Sequence, residues 1–294
     1  MIGHNGYRKA LVVIGFLLPS LLGLLLFQFI PMLSSLAISF TDWDLLTKAS
    51  FVGWDNYRFA LHDEQSLKSL SNIFLYIAGY LPSVLVLGLL LASLLNRKMR
   101  GVKFYRTMVF IPVITSWVAV SIVWRWLLNG QSGLVNYLLS LIGIQGPVWL
   151  QDFFWAMPAI IGVSVWKDLG YVTIILLAGM QDISEDYYEA AIIDGASAWQ
   201  KFRRITLPLL TPSLFFVIIM SLINGFQLFD QVMVMTNGGP AGQTSTLVQQ
   251  IYMNAFQSNK MGIASAQSWI LFLIIFLVTA VQQLLQKRWV IYDR

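Results

Sequence analysis

Trp166, Lys167, Asp168 and Tyr171 stand in the middle of one long apolar run, and Ser221, Asn224, Gly225 and Leu228 recur at i, i+3, i+4 and i+7 in another. A charge at the centre of a membrane-crossing helix costs about 2.5–3.5 kcal/mol on insertion scales, so one that is kept there has a task. The chemistry open to this set is recognition. Carboxyl, amide and hydroxyl groups bind the hydroxyls of a polar solute, and aromatic rings with polar edges suit sugar faces. Neighbouring residues of a helix point about 100° apart, so Lys167 and Asp168 do not share a face, and at least one must meet a pathway or a partner helix. Gln227, Asp230 and Gln231 carry the polarity of the second run outward. The same residue types also hydrogen-bond helices to one another, and the sequence leaves both roles open. Trp166, Asp168, Tyr171, Ser221, Asn224 and Gln227 are the candidate pathway residues. Arg125, between Trp124 and Trp126 near the outer end of its run, fits a side chain snorkelling into an aromatic belt.

Bond-making chemistry finds no equipment. The two histidines, His4 and His62, lie in a tail and a polar loop, and the chain has no HExxH, GxSxG or P-loop pattern. The glycine-rich stretch NGGPAG at 237–242 has no lysine in P-loop register, and the absence of cysteine removes disulfides and thiolate metal sites. No catalytic residue, metal site or cofactor bound by this chain is expected. If ATP drives the protein, another chain binds it.

The elements that must position these residues follow from composition. Of 294 residues 57% are hydrophobic and 11% charged, where a soluble domain carries about 25% charged residues. Mean hydropathy is +0.69. Runs of roughly 20 apolar residues suffice to cross the hydrocarbon core, and six are present, at about 10–30, 72–95, 106–128, 155–180, 209–235 and 264–286. Backbone groups in lipid must satisfy one another, and these runs lack the alternation of barrel strands, so an all-α membrane bundle of six transmembrane helices is expected. The first run is longer than a signal-peptide core, and Ala37 and Ser39 make only a weak cleavage site, so it reads as a retained span. The small pairs Gly88 with Ala92 and Gly262 with Ala266 suit close helix packing without deciding where it occurs.

Basic residues orient the bundle. Lysine and arginine number two before the first span, five in 96–106, three in 181–208 and three after 286, thirteen in all, against four in the intervening segments. By the positive-inside rule both termini and segment 181–208 are cytoplasmic. Topology accounts for the net charge of +5, so no nucleic-acid partner is inferred.

That segment holds YYEAAIIDGASAWQKFRRITLPLLTP, residues 187–212. Ser184 is placed to cap a helix that opens with Glu185 and Asp186, and Tyr188, Ala191 and Ile192 form an apolar stripe beside Glu185 and Glu189. Gly195 stands where a helix end takes a left-handed residue, and Ser197 with Gln200 has capping-box spacing for a second helix that runs toward Pro208 and Pro212. The unit is helix, glycine turn, helix.

This stretch closely resembles the EAA motif of permease subunits of binding-protein-dependent ABC importers, through Glu189, Ala190 and Ala191, the DGA of Asp194, Gly195 and Ala196, and then Ile205, Leu207 and Pro208. The preceding LLAGMQDI resembles the same family's lead-in. FVGWDNY at 51–57, RTMVFIP at 106–112, Trp124, Gly133, Asn136, and TNGGP at 236–240 with Thr246, Ala255 and Phe256 are similar to the carbohydrate branch, and within it to the MalF-like or glycerol-phosphate-type first permease. The resemblance spans roughly residues 10–290, in a short form without a large extracytoplasmic insertion.

The resemblance implies a type I ABC importer permease fold in the inner or plasma membrane of a prokaryote. It implies a second permease subunit completing a heterodimer, two ATPase subunits that hydrolyse ATP with Mg, an extracytoplasmic solute-binding protein, and a sugar as cargo. Residues 183–208 would then be the coupling loop gripped by the ATPase, with Tyr188, Glu189, Ala190, Ala191, Asp194, Gly195 and Pro208 as the coupling residues. Segment 246–256 is expected as an interfacial helix near the binding-protein contact. A secondary transporter or channel for a small polar solute remains the rival reading, since it too would be a six-span bundle with polar residues at mid-depth, but it has no need of the helix-glycine-helix unit.

Overall fold

The computed structural model describes residues 4–97 and 100–291, with side chains from residue 12 on. Lys98 and Arg294, and the side chains of Arg8 and Lys9, all used in the orientation count, lie outside the described residues. Regular structure among the described residues is helical, apart from one isolated bridge between Thr41 and Phe51. Four helices are long and apolar enough to cross a bilayer, Val12–Ile38, Glu64–Leu95, Ala156–Gln181 and Met261–Trp289, and there are six if each of two bent helix pairs counts as one span.

By its internal contacts the chain divides into two units, residues 1–63 with 251–270 and residues 64–250 with 271–294. In the first unit, α1 (His4–Leu24) passes through a π turn (Leu25–Phe29) into α2 (Ile30–Ile38), and α3 spans Asp55–His62. The FVGWDNY stretch closes the loop between α2 and α3. Gly53 takes a φ of +62°, and the Asn56 side chain donates to the Ser39 carbonyl at 2.9 Å and the Thr41 carbonyl at 2.7 Å. Tyr57 hydrogen-bonds Ser39 at 2.7 Å, and Phe40, Trp54 and Tyr57 cluster, Phe40 edge to face with Trp54 and Tyr57 tilted against both. A Cβ at Gly262 would strike the Thr41 carbonyl oxygen and lie 2.8 Å from the Asn56 amide nitrogen. Because Asn56 already holds that carbonyl, the loop has no room to yield, and Gly262→Ala is expected to cost about 1–3 kcal/mol by overpacking. A thermal-unfolding midpoint lowered by at least ~2 °C in detergent is the expected reading; an unchanged midpoint would contradict the close approach.

In the second unit, α4 (Glu64–Leu95) and α8 (Ala156–Gln181) form the core, with Tyr76, Tyr80, Val84, Ile160, Val172 and Leu176 all buried. Gly88 gives Val172 room, since a Cβ there would come 2.5 Å from Val172 Cγ1. α5 (Val102–Ile114) crosses α8 where Gly170 meets the Val109 carbonyl. α6 (Trp117–Leu127) then leaves at 98° to α5. The break follows Pro112, whose carbonyl is taken by the Thr115 N–H at 3.3 Å and the Thr115 hydroxyl at 2.6 Å, while Thr115 and Ser116 are extended. The continuous third run expected at 106–128 is therefore a bent pair, because hydropathy does not register a backbone break. α7 (Leu134–Leu141) lies in a loop built on Asn136, which donates to the Gly130 and Pro147 carbonyls and accepts from Trp149 Nε1 at 2.7 Å.

After α8 come α9 (Glu185–Ile193), α10 (Ala198–Lys201), a π turn (Phe202–Thr206) and α11 (Leu207–Leu209). α12 (Thr211–Phe226) sets off at 63° to the preceding helical segment. The run expected as one span at 209–235 ends as a helix at Phe226, and α13 (Asp230–Met235) is separate. Beyond α13, the TNGGP turn places Asn237 and Gly238 at φ +50° and +82°, and Thr236 and Thr244 share a 2.7 Å hydrogen bond. Asn72 and Lys68 of α4 anchor the following loop by donating to the carbonyls of Gly242 and Ser245, and of Ala241. α14 (Leu247–Tyr252) follows. In the segment expected as an interfacial helix, Leu247 is buried, and so are the polar Thr246, Gln249 and Gln250, with Thr246 donating to the Leu228 carbonyl at 2.8 Å and Gln250 to Ser245 at 2.8 Å. α15 (Met261–Trp289) is the last helix among the described residues.

Candidate solute cavity and coupling loop

A cavity of about 380 Å³ opens among α4, α6, α8, α12 and α13, lined by polar and aromatic side chains that include Tyr76, Tyr80, Trp117, Asp168, Asn224 and Gln227. Tyr76 and Tyr80 sit one turn apart on α4 and stack with ring centroids 5.2 Å apart. The Tyr80 hydroxyl donates to Asp168 Oδ2 at 2.8 Å, which fixes the carboxylate at the wall. Asn224 ends the polar stripe of α12, whose Gly225 packs against Ile77 of α4, and Gln227, Asp230 and Gln231 follow along the rim. Gln231 is tied to Ser164 of α8 at 3.4 Å.

Of the six candidate pathway residues, Asp168, Asn224 and Gln227 line the cavity. Ser221 is buried one turn before Asn224 and is not part of the lining. Trp166 and Tyr171 are not in the lining either: Trp166 is exposed and packs edge-on against Trp124 with centroids 5.4 Å apart, and Tyr171 packs on the flank of the α4–α8 core. Residue 166, two positions from 168, falls on another face of α8, whereas Tyr171, at i+3 from Asp168, is its neighbour on the helix but packs against the core instead of the cavity. The cavity residues that the sequence reading passed over are Tyr76, Tyr80 and Trp117. The i, i+4 spacing of two tyrosines inside an apolar run was the available signal for the first two.

Lys167 turns the other way from Asp168. It is 4% exposed, and its Nζ donates to the Val113 carbonyl at 3.3 Å and stands 4.6 Å from the centre of the Trp117 ring. It thus binds an orphan carbonyl at the end of α5 and a ring at the start of α6, across the 98° corner. Arg125 is exposed, with a 3.3 Å bond from its guanidinium to the Val234 carbonyl.

The glycine unit is built from local rules. The Ser184 hydroxyl accepts from the Asp186 N–H at 3.2 Å and caps α9. At the other end Gly195 has φ +73°, the Gly195 N–H reaches the Ile192 carbonyl at 3.0 Å and the Ala196 N–H reaches the Ala191 carbonyl at 2.8 Å, which is a complete Schellman closure. Ser197 and Gln200 form the reciprocal capping box of α10 at 2.7 and 3.3 Å. A 2.9 Å bond between Tyr188 and Thr206 fastens α9 to the second arm, and a cleft of about 300 Å³ lined by Ala191, Asp194, Gly195, Gln200, Lys201 and Arg204 lies between them. The expected stripe needs one correction: Tyr188 and Ala191 are half-buried, but Ile192 is exposed, as are Ile193 at 86% and Trp199 at 66%. Glu189 and Ala190 are also exposed. Pro208 is the second residue of α11, and its carbonyl accepts from the Thr211 hydroxyl at 2.6 Å beside the 63° bend.

Among the described residues no group of three or more His, Asp or Glu is placed to hold a metal ion.

Residues 59–291 match the family described as the binding-protein-dependent transport system inner membrane component. The chain is 37% identical over 283 residues to the probable ABC transporter permease protein YesP of Bacillus subtilis, covering 95% of this chain and 91% of that protein. It is 34% identical over 278 residues to the trehalose/maltose transport system permease protein MalF of Thermococcus litoralis, covering 94% and 93%. Its fold is similar, with a TM-score of 0.85 at 24% identity and 96% coverage of both chains, to the crystal structure of a bacterial ABC transporter involved in import of the acidic polysaccharide alginate. The chain is therefore a multi-pass membrane protein of a transport family rather than an enzyme family, and it belongs to the inner membrane components of binding-protein-dependent transport systems.

Proposed function

We propose that this chain forms the translocation pathway for a sugar in an ATP-driven importer, receives the sugar from an extracytoplasmic binding protein, and couples through residues 183–208 to a separate ATPase subunit. The observation that carries the reading is a connection. Asp168 and Asn224 of the cavity lie on α8 and α12, and those two helices are the ones that enter and leave the glycine unit. From Asp168 to Gln181 is thirteen residues, a rigid rod of about 20 Å at 1.5 Å per residue. A clamp that moves α9 and α10 as one body moves both walls of the cavity. Both termini and the loop face the cytoplasm in this reading, a second permease subunit completes the pathway, and two ATPase subunits hydrolyse Mg-ATP. Sugar cargo is supported by the trehalose/maltose relative and by a lining of hydroxyls, amides and aromatic rings.

The exposed Ile192, Ile193 and Trp199 supply the apolar part of a docking surface, and Glu189 supplies a charge. Co-purification of this chain with an ATPase carrying a Walker A motif is the first test; failure of the pair to associate in the membrane under mild solubilisation would overturn the coupling role. Glu189→Lys is expected to abolish or sharply reduce uptake by placing like charges together at an interface, an effect beyond the ~0–1 kcal/mol of a surface pair. A reciprocal arginine-to-glutamate change on the ATPase should then restore transport that each single variant loses. If the doubly reversed pair is no better than either single at equal expression, direct pairing by Glu189 is wrong.

A further inference from the structure

The wall of the cavity has an uneven charge. Asp168 and Asp230 line it, and among the described residues no lysine, arginine or histidine does. The cation adjacent to Asp168 in sequence is committed elsewhere: Lys167 holds the Val113 carbonyl at 3.3 Å and the face of Trp117 at 4.6 Å. The Arg125 guanidinium likewise bonds the Val234 carbonyl rather than the lining. The rest of the polar wall is neutral, made of the hydroxyls of Tyr76 and Tyr80 and the amides of Asn224, Gln227 and Gln231. With Lys167 counted, the formal balance of these three charges is still minus one.

We infer that the cavity selects its solute by charge, admitting neutral and amino-bearing polyhydroxy compounds and rejecting carboxylated or phosphorylated ones. The inference rests on the assignment of this cavity to sugars made above and narrows it. Recognition of a carboxylate or phosphate is strongest with ammonium or guanidinium donors, which pair with it directly and offset its charge. Here an anionic solute meets two carboxylates, which repel it, and finds no such donor. Neutral hydroxyls meet the opposite situation. Carboxylate oxygens accept from them, side-chain amides both donate and accept, and tyrosine hydroxyls do the same. Specificity of this kind comes from the repulsive element as much as from the attractive ones.

The test uses the detergent-solubilised complex of this chain with its partner permease and ATPase, without the binding protein, so that the selectivity read is that of the membrane subunits. Saturation-transfer difference NMR, which reads weak binding, is run in competition with trisaccharides matched in length: neutral gluco-, galacto- and xylo-trisaccharides, the chitosan trimer and trigalacturonate. At pH 7 the best neutral or amino trisaccharide is expected to bind at least about tenfold more tightly than trigalacturonate, equivalent to ~1.4 kcal/mol. In the Asp168→Asn/Asp230→Asn double variant the neutral-to-uronate ratio, whatever the absolute affinities, is expected to fall about tenfold. Trigalacturonate binding as tightly as the best neutral probe in the unmodified complex overturns charge selection and leaves the cavity a sugar site. So does a ratio that is unchanged in the double variant. If the double variant does not assemble, Asp230→Asn alone is read by the same ratio. If no trisaccharide of any charge binds, the assignment of the cavity to sugars fails, and charge selection fails with it.

Discussion

Asp168→Leu is expected to lower sugar uptake roughly five- to 150-fold while the chain still assembles with its ATPase. The substitution removes an acceptor that Tyr80 holds at 2.8 Å and leaves the solute hydroxyl that Asp168 would have met without a partner. Each unpaired polar group in such a site costs about 1–3 kcal/mol, which is the source of the range. Asn224→Leu, on the facing helix, is expected to act in the same direction for the same reason. Trp166→Ala and Tyr171→Ala serve as internal contrasts. Both residues lie outside the cavity lining, Trp166 against Trp124 and Tyr171 against the α4–α8 core, so their loss is expected to lower thermal stability without a selective rise in KM for the sugar. Uptake kinetics in proteoliposomes and ATPase retention on purification check all four. Unchanged kinetics in both Asp168→Leu and Asn224→Leu would return these residues to a helix-packing role.

Gly195→Val is expected to uncouple transport from ATP hydrolysis without preventing membrane insertion. Among the described residues nothing lies within 4 Å of where a Cβ at this position would stand, so the lesion is one of backbone conformation. A β-branched residue at φ +73° costs at least about 1–2 kcal/mol. The Schellman closure would relax to avoid that cost, and the Ala196-to-Ala191 and Gly195-to-Ile192 bonds that set the angle between α9 and α10 go with it. Gly195→Asn, which tolerates the left-handed region, is expected to retain more coupling than Gly195→Val. Full uptake and normal stimulation of the ATPase by the valine variant would remove the loop from the coupling pathway.

The elements most legible in the sequence are those fixed by local chemistry. Ser184, Gly195, Ser197 and Gln200 adopt the cap and closure geometries that their spacing implies, because each rule operates within six residues. FVGWDNY, Asn136 and TNGGP stood out as family signatures, and the structure gives them local work: Asn56, Asn136 and Thr244 satisfy loop carbonyls, and Gly53 and Gly238 supply positive φ. The cavity was only half legible. Asp168, Asn224 and Gln227 stood out as polar groups in apolar runs, whereas Tyr76, Tyr80 and Trp117 look like ordinary apolar-run residues until α4 and α6 are placed beside α8. The breaks after Ile114 and Phe226 were invisible to hydropathy, which sums side chains and not backbone hydrogen bonds. The small pairs were undecided in sequence. The structure gives Gly88 a facing side chain in Val172 and Gly262 a facing carbonyl at Thr41.

The central claim is that this chain moves a sugar only when a separate ATPase grips the loop at 183–208. The direct measurement is accumulation of a labelled sugar in proteoliposomes holding this chain, its partner permease and the ATPase, with the binding protein and sugar on one side and Mg-ATP on the other. The account predicts uphill accumulation that requires the binding protein and ATP, stops when the ATPase is omitted, and is indifferent to a proton or sodium gradient. Accumulation that persists without the ATPase and follows an ion gradient would contradict it and identify the chain as a secondary transporter.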